Sequence, residues 1–380
     1  MRLRKSGAFS VLGTPLKRNI DLGVLFSRSG TYSLLGEASL TGALKAIVQV
    51  NANPALNIAF RAVARDPQGN VDAYAPLCEE ILRDSDARHV IGCTTSWSRK
   101  EVIPALERAD GALWYPVPHE GFETSDRIVY THACPNQHLL PLLGHAFARH
   151  GTRSYLTGSN YIWGWEMNRL AREIGMRAGG SILGERYLPL GSVDVARIVV
   201  EIAEMRPDFV LNQLIGPSQY AFLQAMADLR ARDPHFAQGN CPVLSCNLTE
   251  CELPAIGAAA EGVIAAGPWF CGMPDLAQGT TGRNFGSSFE AVAHASVMML
   301  ARLLHGRPGA ENWPLAQLLA LPQAAQMGID ARTHHTSLPV VIAQVQDGTF
   351  LPLKSMGPVA GDPYLTLRQE PPRPALRVVP

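Results

Sequence analysis

Short β-rich runs alternate with helical patterns from residue 19 to about residue 270, and this alternation constrains the fold more than any other feature. Residues 21–26 are typical of a buried strand, and residues 35–50 have the apolar period of a helix. Further strands are predicted at residues 57–63, 89–93, 112–115, 128–130, 154–157, 182–187, 209–212 and 243–246. Because strands that alternate with helices form parallel sheets, the sequence predicts an α/β fold.

The size and charge of the chain limit what it can do. With 380 residues, of which 47% are hydrophobic, it is long enough for two domains with substantial cores. Basic and acidic residues both number 33, so no excess of positive charge is available to neutralise phosphates. We therefore expect no direct binding to nucleic acid.

The start of the sequence bears on the location of the protein. Its basic residues are followed by an apolar run at residues 8–12 only, which is shorter than a signal peptide requires. Nowhere does an apolar run reach the roughly 18 residues of a membrane span. These features predict a cytoplasmic protein without membrane insertion, and a periplasmic location would need a signal peptide upstream of this sequence.

Catalytic and metal-binding patterns are absent from the sequence. The seven cysteines are an odd number scattered through apolar segments, which favours free thiols, and the equal spacing of Cys241, Cys246 and Cys251 matches no zinc pattern. We find no nucleophile elbow, phosphate-binding loop or dinucleotide fingerprint. Cys93 ends a strand and is a conceivable amidase nucleophile, but a small buried residue is the stronger interpretation. The sequence predicts a non-enzymatic protein with no cofactor and no metal.

The first candidate binding segment follows the strand at residues 89–93. Ligands of open parallel sheets bind beyond the carboxyl ends of strands, and here Thr94, Thr95 and Ser96 precede a predicted helix at residues 97–109. Free backbone N–H groups at a helix start attract a carbonyl oxygen. The alternative is that Thr95 or Ser96 only caps the helix.

Two more strand ends are rich in aromatic residues. In the second segment two prolines stiffen the loop and fix the directions of Tyr115, Pro116 and Val117. In the third, Tyr161 and Trp163 precede a helix and are candidates to line a small pocket. Packing of the tryptophan within its own domain is an equally good interpretation.

Together with residues 130–137, these segments resemble the amide receptor and urea-binding branch of the type I periplasmic-binding-protein family, over roughly residues 19–365. The most specific pieces are residues 92–96, 98–100, 115–116, 120–123 and 159–163. The resemblance implies two Rossmann-like lobes with parallel sheets, joined by a hinge of three chain crossings at residues 131–135, 265–269 and 338–343. We expect an N-terminal extension (1–18), an N-terminal lobe (19–132 plus 267–340), a C-terminal lobe (133–266 plus 341–368) and a tail (369–380).

The resemblance also implies a site between the lobes. Ser96 would bind the amide. The other site residues of the N-terminal lobe would be Thr94, Thr95, Tyr115, Pro116 and Val117. The residues that close on the ligand from the other lobe would be Tyr161, Trp163, Ile215 and Gly216. The family tends to have an aromatic residue at the position of Thr94. Because the threonine side chain is smaller, this pocket is expected to be larger or to hold more water. With about four heavy atoms, acetamide gains at most about 6 kcal/mol, or a dissociation constant of tens of micromolar.

Two binding roles follow from the resemblance. In the first, the chain is a cytoplasmic amide sensor that sequesters an antitermination regulator and so represses an amidase-type operon. In the alternative, it is the substrate-binding protein of an ABC transporter for urea, short-chain amides or branched-chain amino acids, with a permease as partner. Homo-oligomers are also possible through apolar surface residues of a helix predicted at residues 284–304.

Overall fold

The computed structural model describes residues 17–237, 239–274, 276 and 285–366. Most of the predicted N-terminal extension and the whole predicted tail lie outside these residues. The strands are β1 (Arg18–Leu25), β2 (Ile58–Arg65), β3 (His89–Gly92), β4 (Ala112–Tyr115), β5 (Ile128–Tyr130), β6 (Arg153–Ser159), β7 (Ser181–Leu188), β8 (Phe209–Gln213), β9 (Val243–Ser245), β10 (Ile264–Gly267), β11 (Leu338–Gln346) and β12 (Thr349–Val359). Each of the nine strands predicted from the sequence is present, with ends that differ by a few residues.

Helices separate most of the strands. They are α1 (Ser33–Ala52), α2 (Tyr74–Asp84), α3 (Ser96–Ala109), α4 (Leu139–Arg149), α5 (Ile162–Arg177), α6 (Ala196–Met205), α7 (Pro217–Arg232), α8 (Leu253–Ile256), α9 (Ser288–Leu304), α10 (Leu315–Leu319) and α11 (Pro322–Gln326). Among the described residues, none of these helices is long and apolar enough to cross a bilayer.

Two sheets form two lobes. The N-terminal sheet has the order β2-β1-β3-β4-β5, and all its pairings are parallel. The C-terminal sheet has the order β12-β11-β10-β9-β8-β6-β7, and its pairings from β10 to β7 are parallel. The predicted α/β fold with two lobes is therefore confirmed.

An antiparallel hairpin departs from the predicted parallel plan. β11 pairs antiparallel with both β10 and β12. Only Asp347 and Gly348 connect β11 to β12, and their φ angles are 51° and 71°. Two positive φ angles in a two-residue loop are the geometry that matches the twist of a tight hairpin, and an Asp-Gly pair adopts it readily. This local turn forces an antiparallel edge onto the sheet.

The chain crosses between the lobes three times. It leaves the N-terminal sheet after β5, returns to that lobe after β10, and enters the C-terminal sheet again at β11. The third crossing was predicted at residues 338–343, but these residues lie inside β11 and pair with β10 and β12. The assignment of residues 338–340 to the N-terminal lobe is therefore wrong. Their backbone groups are needed in the sheet ladder, and the side chains of Leu338 and Val340 are buried.

Helix α9 does not offer the apolar surface that was predicted for self-association. Every residue from Ser288 to Leu304 is buried except Arg302, which is partly exposed. The helix packs closely on α1, where a Cβ atom at Gly42 would lie 2.0 Å from the carbonyl oxygen of Glu290. The apolar residues of α9 form part of the N-terminal core instead.

Candidate functional site

A cavity lies between the lobes, where the carboxyl ends of several parallel strands meet. Its volume is about 30 Å³, and because one water needs about 10–15 Å³ on this scale, it has room for about two or three water-sized groups. The lining residues are Leu35, Thr94, Thr95, Ser96, Tyr115, Val117, Pro118, Tyr161, Trp163, Ile215, Asn247 and Phe289. None of these side chains carries a formal charge.

Most of the predicted ligand-binding residues line this cavity. Those that do are Thr94, Thr95, Ser96, Tyr115, Val117, Tyr161, Trp163 and Ile215. Pro116 and Gly216 were predicted with them but are not part of the lining, and Pro118 takes the place expected for Pro116. The chain at and after the end of β4 thus contributes Tyr115, Val117 and Pro118, whereas Pro116 is not part of the lining.

Four lining residues, Leu35, Pro118, Asn247 and Phe289, were not among those predicted from the sequence. Asn247 follows the end of β9, so the same strand-end reasoning that selected Ser96 could have found it. Leu35 and Phe289 lie in the first turns of α1 and α9 and reach the cavity only because those helices pack side by side. No local pattern marks either residue as part of a site.

Thr95 caps α3, which leaves Ser96 free for another role. The hydroxyl of Thr95 accepts the N–H of Ser98 at 3.2 Å, and the hydroxyl of Ser98 accepts the N–H of Thr95 at 3.1 Å. Ser96 Oγ instead donates to Oε2 of Glu120 at 2.5 Å. The first N–H groups of a helix have no acceptor within it, so the backbone N–H of Ser96, a residue that lines the cavity, has no acceptor within α3.

A buried charge cluster lies behind Ser96. Arg99 is fully buried and pairs with Glu120 (Nη2 to Oε1, 2.7 Å) and with Glu123 (Nε to Oε1, 2.8 Å). Lys100 also pairs with Glu123, so two cations face two carboxylates and the cluster is neutral. Burial raises the pKa of Glu123, but the charge of Arg99 and hydrogen bonds from Arg99 and Lys100 outweigh it and lower that pKa to about 2.

Two fully buried polar atoms of the cavity wall have no hydrogen-bond partner among the described residues. They are Oη of Tyr115 and Nε1 of Trp163, and both side chains are almost completely buried. Buried polar groups are rarely left unpaired, so each is suited to a bound ligand or water. Burial raises the pKa of Tyr115 and that of Tyr161, which keeps both phenols neutral.

A second, smaller cavity adjoins the first and shares Pro118, Asn247 and Phe289 with it. Its volume is about 10 Å³, which is close to the space of one water. His132 lines it, and no residue in the described part of the chain makes a hydrogen bond to the Nε2 atom of His132. The space therefore fits a single water bound to His132.

Cys93 has a structural environment. It lies directly after β3 with a positive φ of 67°, its thiol contacts the carbonyl oxygen of Ser98 at 3.6 Å, and burial raises its pKa well above the usual value. A protonated, buried thiol is a poor nucleophile. Among the described residues, no group of three or more His, Cys, Asp or Glu side chains is arranged to hold a metal ion.

The fold and the cavity define a two-lobed ligand-binding protein of the α/β class. A family model described as the periplasmic binding protein domain matches residues 20–303. The chain belongs to this family, whose members bind solutes and are not enzymes.

Similar solved structures are solute-binding proteins of ABC transporters. One, from R. palustris in complex with 4-hydroxybenzoate, has 19% sequence identity and a TM-score of 0.74 over 92% of this chain and 100% of that chain. An amino acid transporter protein from Pseudomonas fluorescens has 16% identity and a TM-score of 0.72 over 92% and 98%. A branched-chain amino acid protein from Streptococcus pneumoniae, in complex with isoleucine, has 14% identity and a TM-score of 0.68 over 90% and 99%. At these identities the likeness establishes the fold alone.

Proposed function

We propose that this chain is the solute-binding protein of an ABC transporter and that it captures a small neutral amide or urea-like molecule between its lobes. The observation that carries the proposal is the cavity itself: within the described residues, its wall has buried polar atoms without a hydrogen-bond partner and no charged side chain. Transport is favoured over the amide-sensor role because the similar structures are transporter proteins. The predicted cytoplasmic location is unsupported, and a periplasmic location goes with the transport role.

The hydrogen-bonding groups of the wall complement an amide. A primary amide has one strong acceptor and two donors. The indole N–H of Trp163 and the first N–H groups of α3 are suited to the carbonyl oxygen. Ser96 Oγ and Tyr115 Oη are suited to accept from the nitrogen. A zwitterionic amino acid would bring two charges into a wall that has no charged partner for either.

The size of the cavity also supports a small ligand. Room for about two or three water-sized groups suits acetamide or urea. An aromatic acid such as the 4-hydroxybenzoate bound by the R. palustris protein would need a wider separation of the lobes. Contacts made to both lobes exist only in the closed state, so a ligand that fits this space shifts the population towards closure.

Calorimetric titration tests the ligand class. We expect saturable binding of acetamide, propionamide or urea with a dissociation constant of about tens of micromolar. Isoleucine and 4-hydroxybenzoate serve as charged controls. Saturable binding of either charged control without binding of any amide would refute the proposed ligand.

Uptake separates transport from sensing. A strain that lacks the gene should lose high-affinity uptake of radiolabelled acetamide or urea. If the protein were instead a negative regulator, uptake would persist and transcription of an amidase-type operon would become independent of inducer.

A further inference from the structure

The hydroxyl proton of Ser96 has a fixed direction. Its Oγ lies 2.5 Å from Oε2 of Glu120, and the other carboxylate oxygen accepts from Arg99 at 2.7 Å. An ionised carboxylate can accept hydrogen bonds but cannot donate one. The proton of Ser96 is therefore committed to Glu120, and Ser96 Oγ can offer only lone pairs to the cavity.

We infer that Glu120 determines the selectivity of the proposed site, because it makes Ser96 an obligatory acceptor that favours ligands with an N–H donor over isosteric carboxylates. The inference rests on the proposed function and names the residue that sets its ligand chemistry. Glu120 is not part of the cavity wall, so it is a positioning residue that acts through Ser96.

The part that Glu120 plays in this selectivity comes from the direction of a hydrogen bond, and it adds to the disfavour of any charged ligand by the uncharged wall. Glu120, Glu123, Arg99 and Lys100 form a cluster with two charges of each sign, so its net charge is zero. A carboxylate oxygen placed against Ser96 Oγ would meet a second set of lone pairs with no proton between them. An amide nitrogen at the same place would donate to Ser96 Oγ.

Glu123 supplies a matched control. It pairs with the guanidinium of Arg99, as Glu120 does, and it lies in the same buried cluster. Its other hydrogen bonds come from Lys100 and Tyr130, and none involves Ser96. Replacing Glu123 by Gln thus removes one negative charge from the cluster without changing the direction of the Ser96 proton.

The experiment compares acetamide with acetate, which has nearly the same shape, by calorimetry at pH 7. In Glu120→Gln, the new amide N–H₂ can donate to Ser96 Oγ and release the serine proton towards the ligand. We expect the ratio of the acetate and acetamide dissociation constants to fall about tenfold or more in Glu120→Gln. In Glu123→Gln the ratio should stay within about threefold of the wild type.

The outcomes distinguish a failure of the Glu120 role from a failure of the proposed function. An unchanged ratio in Glu120→Gln, or an equal fall in both variants, overturns the role of Glu120 and leaves amide binding intact. Binding of acetate or isoleucine but not acetamide by the wild type overturns the proposed function and this inference together. If Glu120→Gln does not fold, Ser96→Ala provides the test. Loss of an acceptor for the amide N–H should lower the ratio of the acetate and acetamide dissociation constants. A rise of this ratio would show that Ser96 donates to the ligand and would contradict the inference.

Discussion

Gly216 faces the backbone carbonyl of Thr31 across the cleft, so closely that a Cβ atom at residue 216 would lie 1.9 Å from that oxygen. Gly216 precedes α7 in the C-terminal lobe, whereas Thr31 lies in the loop between β1 and α1 in the N-terminal lobe. The backbone of Gly216 has φ 57° and ψ −138°, a conformation that only glycine adopts readily. Gly216 thus contacts the opposite lobe in this structure and does not line the cavity.

Replacing Gly216 by Ala should hinder closure. We expect the affinity for acetamide or urea to fall at least about tenfold, because the added methyl group would collide with a backbone atom of the other lobe. Calorimetry measures the affinity, and small-angle scattering measures the contraction on ligand binding. Gly191→Ala is the matched control, since Gly191 also has a positive φ of 79° but its Cβ would lie 3.4 Å from Oγ1 of Thr31, an ordinary contact. Equal affinities in both variants would contradict the closure role.

Removing the hydroxyl of Tyr115 should weaken binding without destabilising the ligand-free protein. Among the described residues no hydrogen bond of good geometry reaches its oxygen, so Tyr115→Phe removes at most a weak polar contact with Arg99, whose guanidinium carbon lies 4.9 Å from the Tyr115 ring centroid. An average hydrogen bond contributes about 0.5–1.5 kcal/mol, so the dissociation constant should rise several-fold. Tyr130→Phe is the comparison, because Tyr130 donates to Glu123 at 3.1 Å and its loss should lower thermal stability. A ligand-free Tyr115→Phe protein that melts well below the wild type would refute this assignment.

The buried carboxyl of Glu252 should make the protein less stable as the pH rises towards 8. Burial raises its pKa to about 8, although hydrogen bonds from Tyr220 and Gln219 oppose the shift. Between the unfolded pKa near 4.5 and that value, the folded state holds a proton that the unfolded state has lost. The free energy of unfolding therefore falls with rising pH by roughly 1.4 kcal/mol per unit from this group. Glu252→Gln should remove the slope, so urea unfolding should find the variant more stable than the wild type at pH 8 but not at pH 5.

The buried His132 should make the protein less stable as the pH falls below about 6.5. Burial lowers the pKa of His132 to about 3 in the folded state, whereas the pKa in the unfolded state is 6.5. Between these values the unfolded state binds a proton that the folded state does not bind. Stability is present above pH 6.5 and is lost as the pH falls, and at pH 5 the loss from this group is about 2 kcal/mol. His132→Asn keeps an acceptor for the N–H of Ala133, which His132 Nδ1 now accepts at 2.8 Å. The variant should lose less stability between pH 7 and pH 5 in urea titrations; an unchanged loss would argue against a neutral His132.

The strands and the start of α3 could be predicted from the sequence because their causes are local. Apolar residues that recur with the period of a strand or a helix indicate that element from its own residues alone. The hydroxyl of Thr95 likewise caps the helix that directly follows it, and this contact does not depend on the other lobe. Ser96, Tyr115 and Tyr161 were predicted to lie together because each is at or just after the end of a predicted parallel strand. All three line the cavity.

Other features depend on residues that are far apart in the sequence, and only the tertiary structure decided them. Phe289 reaches the cavity because α9 packs on α1, and Gly216 is needed at its position because Thr31 approaches from the other lobe. Glu120 lies 24 positions from Ser96, and no periodicity links a loop residue to a helix start. A sequence specifies which groups must be buried or hydrogen-bonded, whereas the packing of the two lobes selects the partners that bury and bond them.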